Sequence, residues 1–552
     1  MIFPHDPLLL RFHLTSLSMR LDICFIACSI LLALVGLCRR RRARLPLPPG
    51  PKGYPIVGNM LDIPSQLQWA KYLEWSKMYN SDIIYINVFG RPFVVLNSHK
   101  SVNDILSARS LLYSDRPPSV MVHELLGWGS MPSHMPYGQA WRARRRAFWQ
   151  EFNPTNSRNH QAKQLWWSRD FLRRLLYDPT RFLHHIEYTL AGSIIATAYG
   201  LEVEAEHDLN IERAKKVLIQ FNEAPATGSF IVDILPILKY IPSWIPGMGF
   251  KAYAERVRPD TLDMRNAPYK QGCECLRNGN AEPSVLSRSL ARGEYGIENH
   301  PDEDVIKDVT WVACAGGAET SPLVLSTFIA AMLLYPEVQI RAQEELDGYL
   351  GCRLPVFEDM PHLPYIRAIL LEVLRWQPVL PLGAPHRVMM DDEYKGYFIP
   401  KGTTVLANVW ALLRDEEYYP DADEFKPERF LEDGQINPRL FDSIPNFGFG
   451  RRVCPGRFFA MDSILMYIAS TLFCFNIGKA KDPEGQDIEP DIRYDPGFTM
   501  HIVPFKCTIA PRSAEAVKLI RDSELIVRHL LQKFGTLFCS GLISVKSQGR
   551  WN

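Results

Sequence analysis

Apolar residues recur at helical spacing over residues 304–334 and again over residues 336–350. Positions three and four apart share one helix face, so the two stretches predict a long helix and a shorter one. Residues 85–96 read instead as two short strands about a Gly90-Arg91 turn, because β-branched and aromatic residues crowd both sides of it. Residues 388–405, broken at Lys395-Gly396 and at Pro400-Lys401-Gly402, predict a small antiparallel sheet. Strands and helices do not alternate as a parallel α/β sheet requires. The expected fold class is therefore mainly α with small antiparallel β-sheets.

One apolar run is of a different kind. Residues 21–38 (LDICFIACSILLALVGLC) carry a single charge, Asp22, and are followed by five arginines at 39–42 and 44. Such a run rises about 27 Å as a helix, close to the hydrocarbon thickness of an endoplasmic-reticulum bilayer. It is expected to be a transmembrane anchor with a short lumenal segment (residues 1–20) before it and the arginines on the cytosolic side. A cleaved signal peptide is the competing reading, and the basic flank, in place of small residues at a cleavage site, argues against it. Met19 would be a more ordinary start, so residues 1–18 read as a gene-model extension. Residues 39–53 form a basic stop-transfer flank and a stretch too dense in proline for a helix (LPLPPGPKG), expected to be a stiff extended spacer. The globular domain is then 54–511, and 512–552 a C-terminal tail of no assigned role.

Composition narrows the function classes. The chain has 552 residues, 47% hydrophobic and 22% charged, which suits a sizeable packed core. Lys plus Arg number 62 against 61 for Asp plus Glu, so no bulk nucleic-acid binder is indicated. The eleven cysteines show no C-x-x-C pair, and Cys273-x-Cys275 is too close for zinc, which points to free thiols in a reducing compartment. The one glycosylation-like triplet, Asn153-Pro-Thr, is excluded by its proline.

Chemistry concentrates in Phe447-Gly-Phe-Gly-Arg-Arg-Val-Cys-Pro-Gly456, which reads F-x-x-G-x-R-x-C-x-G. A cysteine in a core is usually a small hydrophobe. A metal-binding thiolate must stay an anion near the interior, and backbone N–H groups aimed at the sulfur favour that. Gly450 and Gly456 allow a tight turn and a close approach to a flat macrocycle. The stretch resembles the haem-ligand loop of the cytochrome P450 family, where the thiolate holds haem iron and pushes electron density toward O–O cleavage. That resemblance implies Cys454 as the metal ligand, Phe447, Gly448 and Gly456 around the cofactor, and Arg452 at a haem propionate.

Further motifs follow in the family's order. Gly316-Gly-Ala-Glu-Thr-Ser321 lies inside the long predicted helix, and two adjacent glycines there cost about 1 kcal/mol each relative to alanine. Something is expected to approach the backbone at that point; a packed helix kink is the alternative to O₂ over haem. The pattern resembles the family's distal-helix signature with Glu in place of the commoner Asp, implying Thr320 as a hydrogen-bond partner of the distal oxygen and Glu319 as a proton source. Glu372-Val-Leu-Arg375 alone is an ordinary i,i+3 pair. With Phe425-Lys-Pro-Glu-Arg-Phe430 downstream, the resemblance implies a buried triad of Glu372, Arg375 and Arg429 that holds the cysteine loop. Trp141 and Arg145 share a helix face and together make a donor fork for a carboxylate, by resemblance a propionate. Arg142, Arg144 and Arg146 are expected to be solvated, giving a positive patch for an acidic electron donor. Arg116 and His386 match further propionate partners, with an ordinary strand-end histidine as the alternative for His386.

These motifs run from Pro48 to about Cys507. The sequence is similar to membrane-anchored microsomal P450s, most of all to those of mushroom-forming fungi that tailor secondary metabolites. The resemblance implies a haem-thiolate monooxygenase of the endoplasmic reticulum membrane, single-pass, with its catalytic domain in the cytosol. Its partners would be O₂, membrane lipid and an NADPH-dependent reductase, since the chain has neither a dinucleotide fingerprint nor a flavin-binding half. Nucleic acid is not among them. The segments placed over haem by resemblance (120–135, 312–318, 379–385, 497–500) are mostly apolar, so a lipophilic terpenoid or aromatic polyketide is expected as substrate. An amine-bearing aromatic would fit if Glu124 points inward. A P450-fold isomerase, dehydratase or peroxygenase without a reductase is the second reading, disfavoured because such enzymes often lack the acid–threonine pair. A non-catalytic haem-binding protein is the third.

Overall fold

Long apolar helices organise the residues described by this computed structural model, namely 45–223, 231–292 and 303–523. In chain order the elements used below are α1 (Gln68–Met78), β1 (Ile83–Val88), β2 (Arg91–Leu96), α2 (Gln139–Phe152), α3 (Gln161–Tyr177), α4 (Phe182–Tyr199), α5 (Leu209–Glu223), α6 (Gly249–Arg277), α7 (Glu303–Leu334), α8 (Pro336–Leu350), α9 (Pro364–Trp376), β3 (His386–Arg387), β4 (Thr404–Ala407), α10 (Arg457–Cys474), β5 (Phe475–Lys479) and β6 (Cys507–Pro511). The two periodic stretches of the sequence are α7 and α8. Pro336 and Pro364 open α8 and α9 at positions where a missing N–H costs nothing.

α7 is apolar nearly all round and runs through the middle of the molecule. Its first half, including Trp311 and Cys314, packs with Trp128, Ile194 and Tyr199 in one hydrophobic cluster. Its second half, including Phe328 and Ile329, packs with Phe171, Ile366 and Tyr467 in another. The stretch Gly316–Thr320 falls between the two. Both α7 and α10 are long and apolar enough to cross a membrane by composition alone, yet 67% and 72% of their most apolar windows are buried in protein, which makes them core helices.

The main sheet has the order β1-β2-β4-β3. β1 and β2 form an antiparallel hairpin with Ile83 opposite Leu96. Its turn is Phe89-Gly90, both at positive φ (49° and 77°), and not Gly90-Arg91; Arg91 already belongs to β2. β2 and β4 are parallel, with Phe93 opposite Thr404, whereas β3 and β4 are antiparallel. The expected sheet over 388–405 is thus divided. A hairpin pairs Asp392–Tyr394 with Tyr397–Ile399, while Thr404 and Val405 join the larger sheet. β5 and β6 pair separately.

The proline-rich stretch is docked rather than free. Pro46 O accepts from Phe398 N (2.8 Å) and Pro49 O from Tyr85 N (2.8 Å), and a Cβ on Gly50 would fall on the Tyr85 carbonyl. Packing also continues past 511. Arg512 pairs with Asp347 of α8 at 2.6 Å, residues 514–523 are helical, and Ile520 is fully buried. The expected anchor at 21–38, its arginine flank and the distal part of the tail lie outside the described residues.

Candidate active site

The cysteine loop is fixed by backbone geometry at both ends. A 3₁₀ turn (Pro445–Phe447) leads through Gly448 and Gly450, both left-handed (φ 75° and 53°), to a second 3₁₀ turn (Gly450–Arg452) and then Cys454. Cys454 N donates to Phe447 O at 2.6 Å and closes the loop. The two glycines expected to serve a macrocycle divide differently. A Cβ on Gly450 would fall on the carbonyl of Leu106 and stand 2.7 Å from Ser110 Cβ, so this glycine admits the chain at Leu106. Gly456 has ordinary backbone (φ −89°). It supplies an N–H that, with the N–H of Arg457, is directed at Cys454 Sγ from the start of α10. Burial raises the Cys454 thiol. The Gly456 N–H, the Arg145 and Arg457 charges and the Arg457 N–H oppose that rise. Phe447 is half-buried against the core around α9 and α10, and Gly448 is exposed.

Three cations that form no ion pair among the described residues, Arg452, Arg116 and Arg145, gather beside this loop. Arg452 stacks 4.3 Å over the ring of buried Trp141 and donates to the carbonyls of Ser114 (2.7 Å), Pro132 (3.2 Å) and Met135 (2.8 Å). Arg116 donates to Ser133 O (2.9 Å), Ala384 O (3.0 Å) and Pro385 O. Arg145, one turn after Trp141 on α2, makes no hydrogen bond or ion pair among the described residues. The nearby carboxylate, Asp115, is engaged by Tyr137 N (2.8 Å) and Arg387 (3.5 Å). Burial pulls Arg116 down to about 10; burial, and then the Arg116 charge, pulls Arg452 down to about 9. His386 is buried, with Nδ1 donating to Tyr113 O at 2.7 Å; burial and Arg116 hold it neutral, at about 3. In that tautomer its Nε2 carries no proton, so it donates to a carboxylate only after gaining one.

Within α7, Thr320 Oγ1 donates to Gly316 O at 2.8 Å, back along the helix. Two residues on, Pro322 has no N–H for the carbonyl of Ala318. The glycine pair also divides. A Cβ on Gly317 would stand 2.9 Å from Ile194 Cγ1, so Gly317 lets α4 close on α7, whereas Gly316 faces open space. Glu319 Oε1 accepts from Asn222 Nδ2 of α5 and from Thr499 Oγ1 (3.0 Å), with His501 Nε2 at 3.7 Å. Sequence reasoning missed Asn222 and His501 and took in Thr499 only as part of the stretch 497–500, without a role: the three lie 97 or more residues from Glu319 and belong to no motif. Pro322, adjoining the Thr320 motif, was the one legible signal overlooked.

Glu372 and Arg375 are fully buried and meet through two bonds, 2.7 and 2.8 Å. Arg429 Nε (3.2 Å) and Lys426 N (2.7 Å) complete the carboxylate's coordination. Arg375 also donates to the carbonyls of Leu413, Ala422 and Glu424, so every charge here is answered. Asn446 Nδ2 donates to Leu374 O (2.8 Å), tying α9 to the cysteine loop.

Two expectations are corrected. Arg144 is not solvated; it pairs at 2.7 Å with Asp308, which is fully buried and shared with Arg265. Arg142 and Arg146 are exposed. Glu124 does not point inward; it pairs with Lys239 at 2.6 Å and is about half exposed (53%), which removes it as an amine partner.

A family model described as Cytochrome P450 matches residues 48–509. The chain belongs to the cytochrome P450 family. Similar proteins include cytochrome P450 monooxygenase ple1 of Rhodocybe pseudopiperita, 42% identical over 87% of this chain and 92% of that protein. Cytochrome P450 monooxygenase 98 of Postia placenta is 40% identical over 88% of this chain and 94% of its own length. Tryptamine 4-monooxygenase of Psilocybe cyanescens is 38% identical over 87% and 96%. This P450 is accordingly a monooxygenase whose cofactor is thiolate-ligated haem. The donor set suits that cofactor. Buried guanidiniums left without a carboxylate are costly, and two propionates would answer them, while a thiol met by helix N-terminal N–H groups suits an iron ligand.

Proposed function

We propose that this P450 inserts one atom of O₂ into a lipophilic small molecule, a terpenoid or an aromatic polyketide of secondary metabolism, with electrons passed from NADPH by a separate reductase. The observation that carries the reading is the Cys454 thiol at the N-terminus of α10, beside Arg116, Arg145 and Arg452, which form no ion pair among the described residues. Cys454 supplies the thiolate. Arg116, Arg452, Arg145 and Trp141 would hold the propionates, with His386 joining them once its Nε2 gains a proton, and Phe447, Gly448 and Gly456 would shape the loop around the cofactor. Bound haem supplies the oxygen-activating chemistry. Thr320 and Glu319 hold and move protons at the oxygen-facing side, and the Glu372–Arg375–Arg429 triad keeps the loop in place.

Apolar side chains support a lipophilic substrate. Met121, Val122, Leu126 and Trp128 are buried in the cluster that includes the first half of α7. The catalytic domain sits on the cytosolic face of the endoplasmic reticulum, anchored by residues 21–38. Ile237, Tyr240 and Trp244, 70–80% exposed along one short stretch, suit contact with the same lipid. The test is co-expression with a fungal reductase, feeding of terpenoid and polyketide scaffolds, and mass spectrometry. Oxygen added only with NADPH and reductase supports the reading. Product formed without them, or isomerised with no oxygen gained, contradicts it in favour of the reductase-free alternative.

A further inference from the structure

Glu319 lies where three elements meet: α7, the end of α5, and the stretch at residues 499–501. Thr499 Oγ1 is its link to the outside. That hydroxyl is 3.0 Å from Glu319 Oε1, 3.1 Å from Asn222 Oδ1 and 2.9 Å from His501 Nε2. Exposure rises outward, from 3% for Thr499 and 13% for the Glu319 side chain to 44% for the His501 side chain. Glu319 Oε2 makes no hydrogen bond among the described residues.

A hydroxyl has one proton to give. Two of the three groups around Thr499 Oγ1 are acceptors only, the Glu319 carboxylate and the Asn222 amide oxygen. If His501 Nε2 were bare, three acceptors would compete for that proton. With Nε2 protonated, His501 donates to Thr499 and Thr499 donates to Glu319, and the contacts form one directed chain. The competing tautomer would have Nε2 accept from Asn222 Nδ2 across 3.3 Å, a longer contact. The charged groups facing His501 are Glu319 from α7, 3.7 Å from Nε2, and Asp495, its partner across the strand pair.

The geometry points to His501 as the solvent-side proton donor of Glu319, acting through Thr499. This rests on the monooxygenase reading above, and makes His501 and Thr499 positioning residues for it. Solvent protonates Nδ1 of His501. The Nε2–H bond then breaks as Thr499 Oγ1 takes that proton and releases its own to Glu319 Oε1. The products are a neutral carboxylic acid and a neutral imidazole protonated on Nδ1. When the half-exposed ring turns toward solvent, water gives a proton to Nε2 and takes the one on Nδ1, which restores the starting tautomer with no further net transfer. One proton crosses per cycle and no electron moves. Rotation of the Glu319 side chain then presents the acid toward Thr320, its neighbour in α7.

The test compares wild type with His501→Gln and Thr499→Val as haem-loaded enzymes with reductase and NADPH, using 7-ethoxycoumarin as the probe. Glutamine keeps hydrogen-bonding reach but passes no proton by titration. Both variants are expected to keep the carbon monoxide spectrum of wild type. Both should release severalfold more hydrogen peroxide per NADPH and show a larger solvent deuterium isotope effect on NADPH consumption. A second readout needs no turnover: ¹⁵N NMR of histidine-labelled carbonyl-bound enzyme should show His501 protonated at Nε2. Unchanged peroxide release and isotope effect, as a clasp between α5 and α7 would give, overturn the relay, and so does a bare Nε2. If wild type consumes no NADPH at all, the monooxygenase reading fails instead, and the ¹⁵N result still judges the relay.

Discussion

Glu372 shows how one carboxylate can hold a loop it never touches. It is fully buried, and takes bonds from Arg375, Arg429 and the Lys426 N–H. Removing it leaves Arg375 charged and buried. Glu372→Ala is therefore expected to cost about 3–5 kcal/mol. The check is a denaturant melt of the haem-loaded protein beside its yield. Loss of haem and a lower midpoint are the expected outcome, while an unchanged midpoint would show that Arg375 finds other partners. Thr320→Ala acts at the same scale with the opposite signature. Among the described residues its hydroxyl bonds only back to Gly316 O, so stability should hardly change, while hydrogen peroxide per NADPH should rise severalfold in the reductase assay. An unchanged ratio would remove Thr320 from the proton path. The charged residues of this site were legible because each sits in a motif with fixed spacing. Asn222, Thr499 and His501 were not, because only the folded chain brings them to Glu319.

At the scale of elements, periodicity carried α7 and α8, since a 3.6-residue repeat is set by contacts within the element itself. The parallel pairing of β2 with β4 left no such trace. Phe93 and Thr404 are joined across about three hundred residues, and no local pattern records a partner that distant. Glycines were ambiguous for the same reason. Gly317 and Gly450 read as room for a cofactor, and the structure assigns their space to Ile194 and to the chain at Leu106. Gly450→Ala meets both a left-handed backbone and the Leu106 carbonyl. It is expected to cost about 1–3 kcal/mol and to lower haem retention, checked by thermal melting and by absorbance after gel filtration. Retention equal to wild type would mean that the loop relaxes without disturbing Cys454.

At the scale of the whole molecule, two hydrophobic clusters share α7, and buried polar groups make their packing sensitive to acid. His160 is 2% exposed, stacked on Phe152, and held at about 3 by burial and then by Arg288. A histidine kept neutral in the fold but free to protonate near its ordinary 6.5 when unfolded stabilises the fold above that pH. The unfolded chain binds the extra proton between pH 6.5 and 3, so stability falls as pH drops through that window, by about 1.4 kcal/mol per unit for this one group. His160→Phe should flatten the slope by that amount in urea melts at pH 7, 6 and 5; an unaltered slope would place the acid sensitivity elsewhere. The central claim concerns a single sulfur. The most direct measurement is the carbon monoxide difference spectrum of the reduced, haem-loaded protein. Wild type should show the band at about 450 nm that marks thiolate ligation, and Cys454→Ser should lose it. A Cys454→Ser protein that keeps that band, or a wild type that never shows it, would contradict the assignment of Cys454 as the iron ligand.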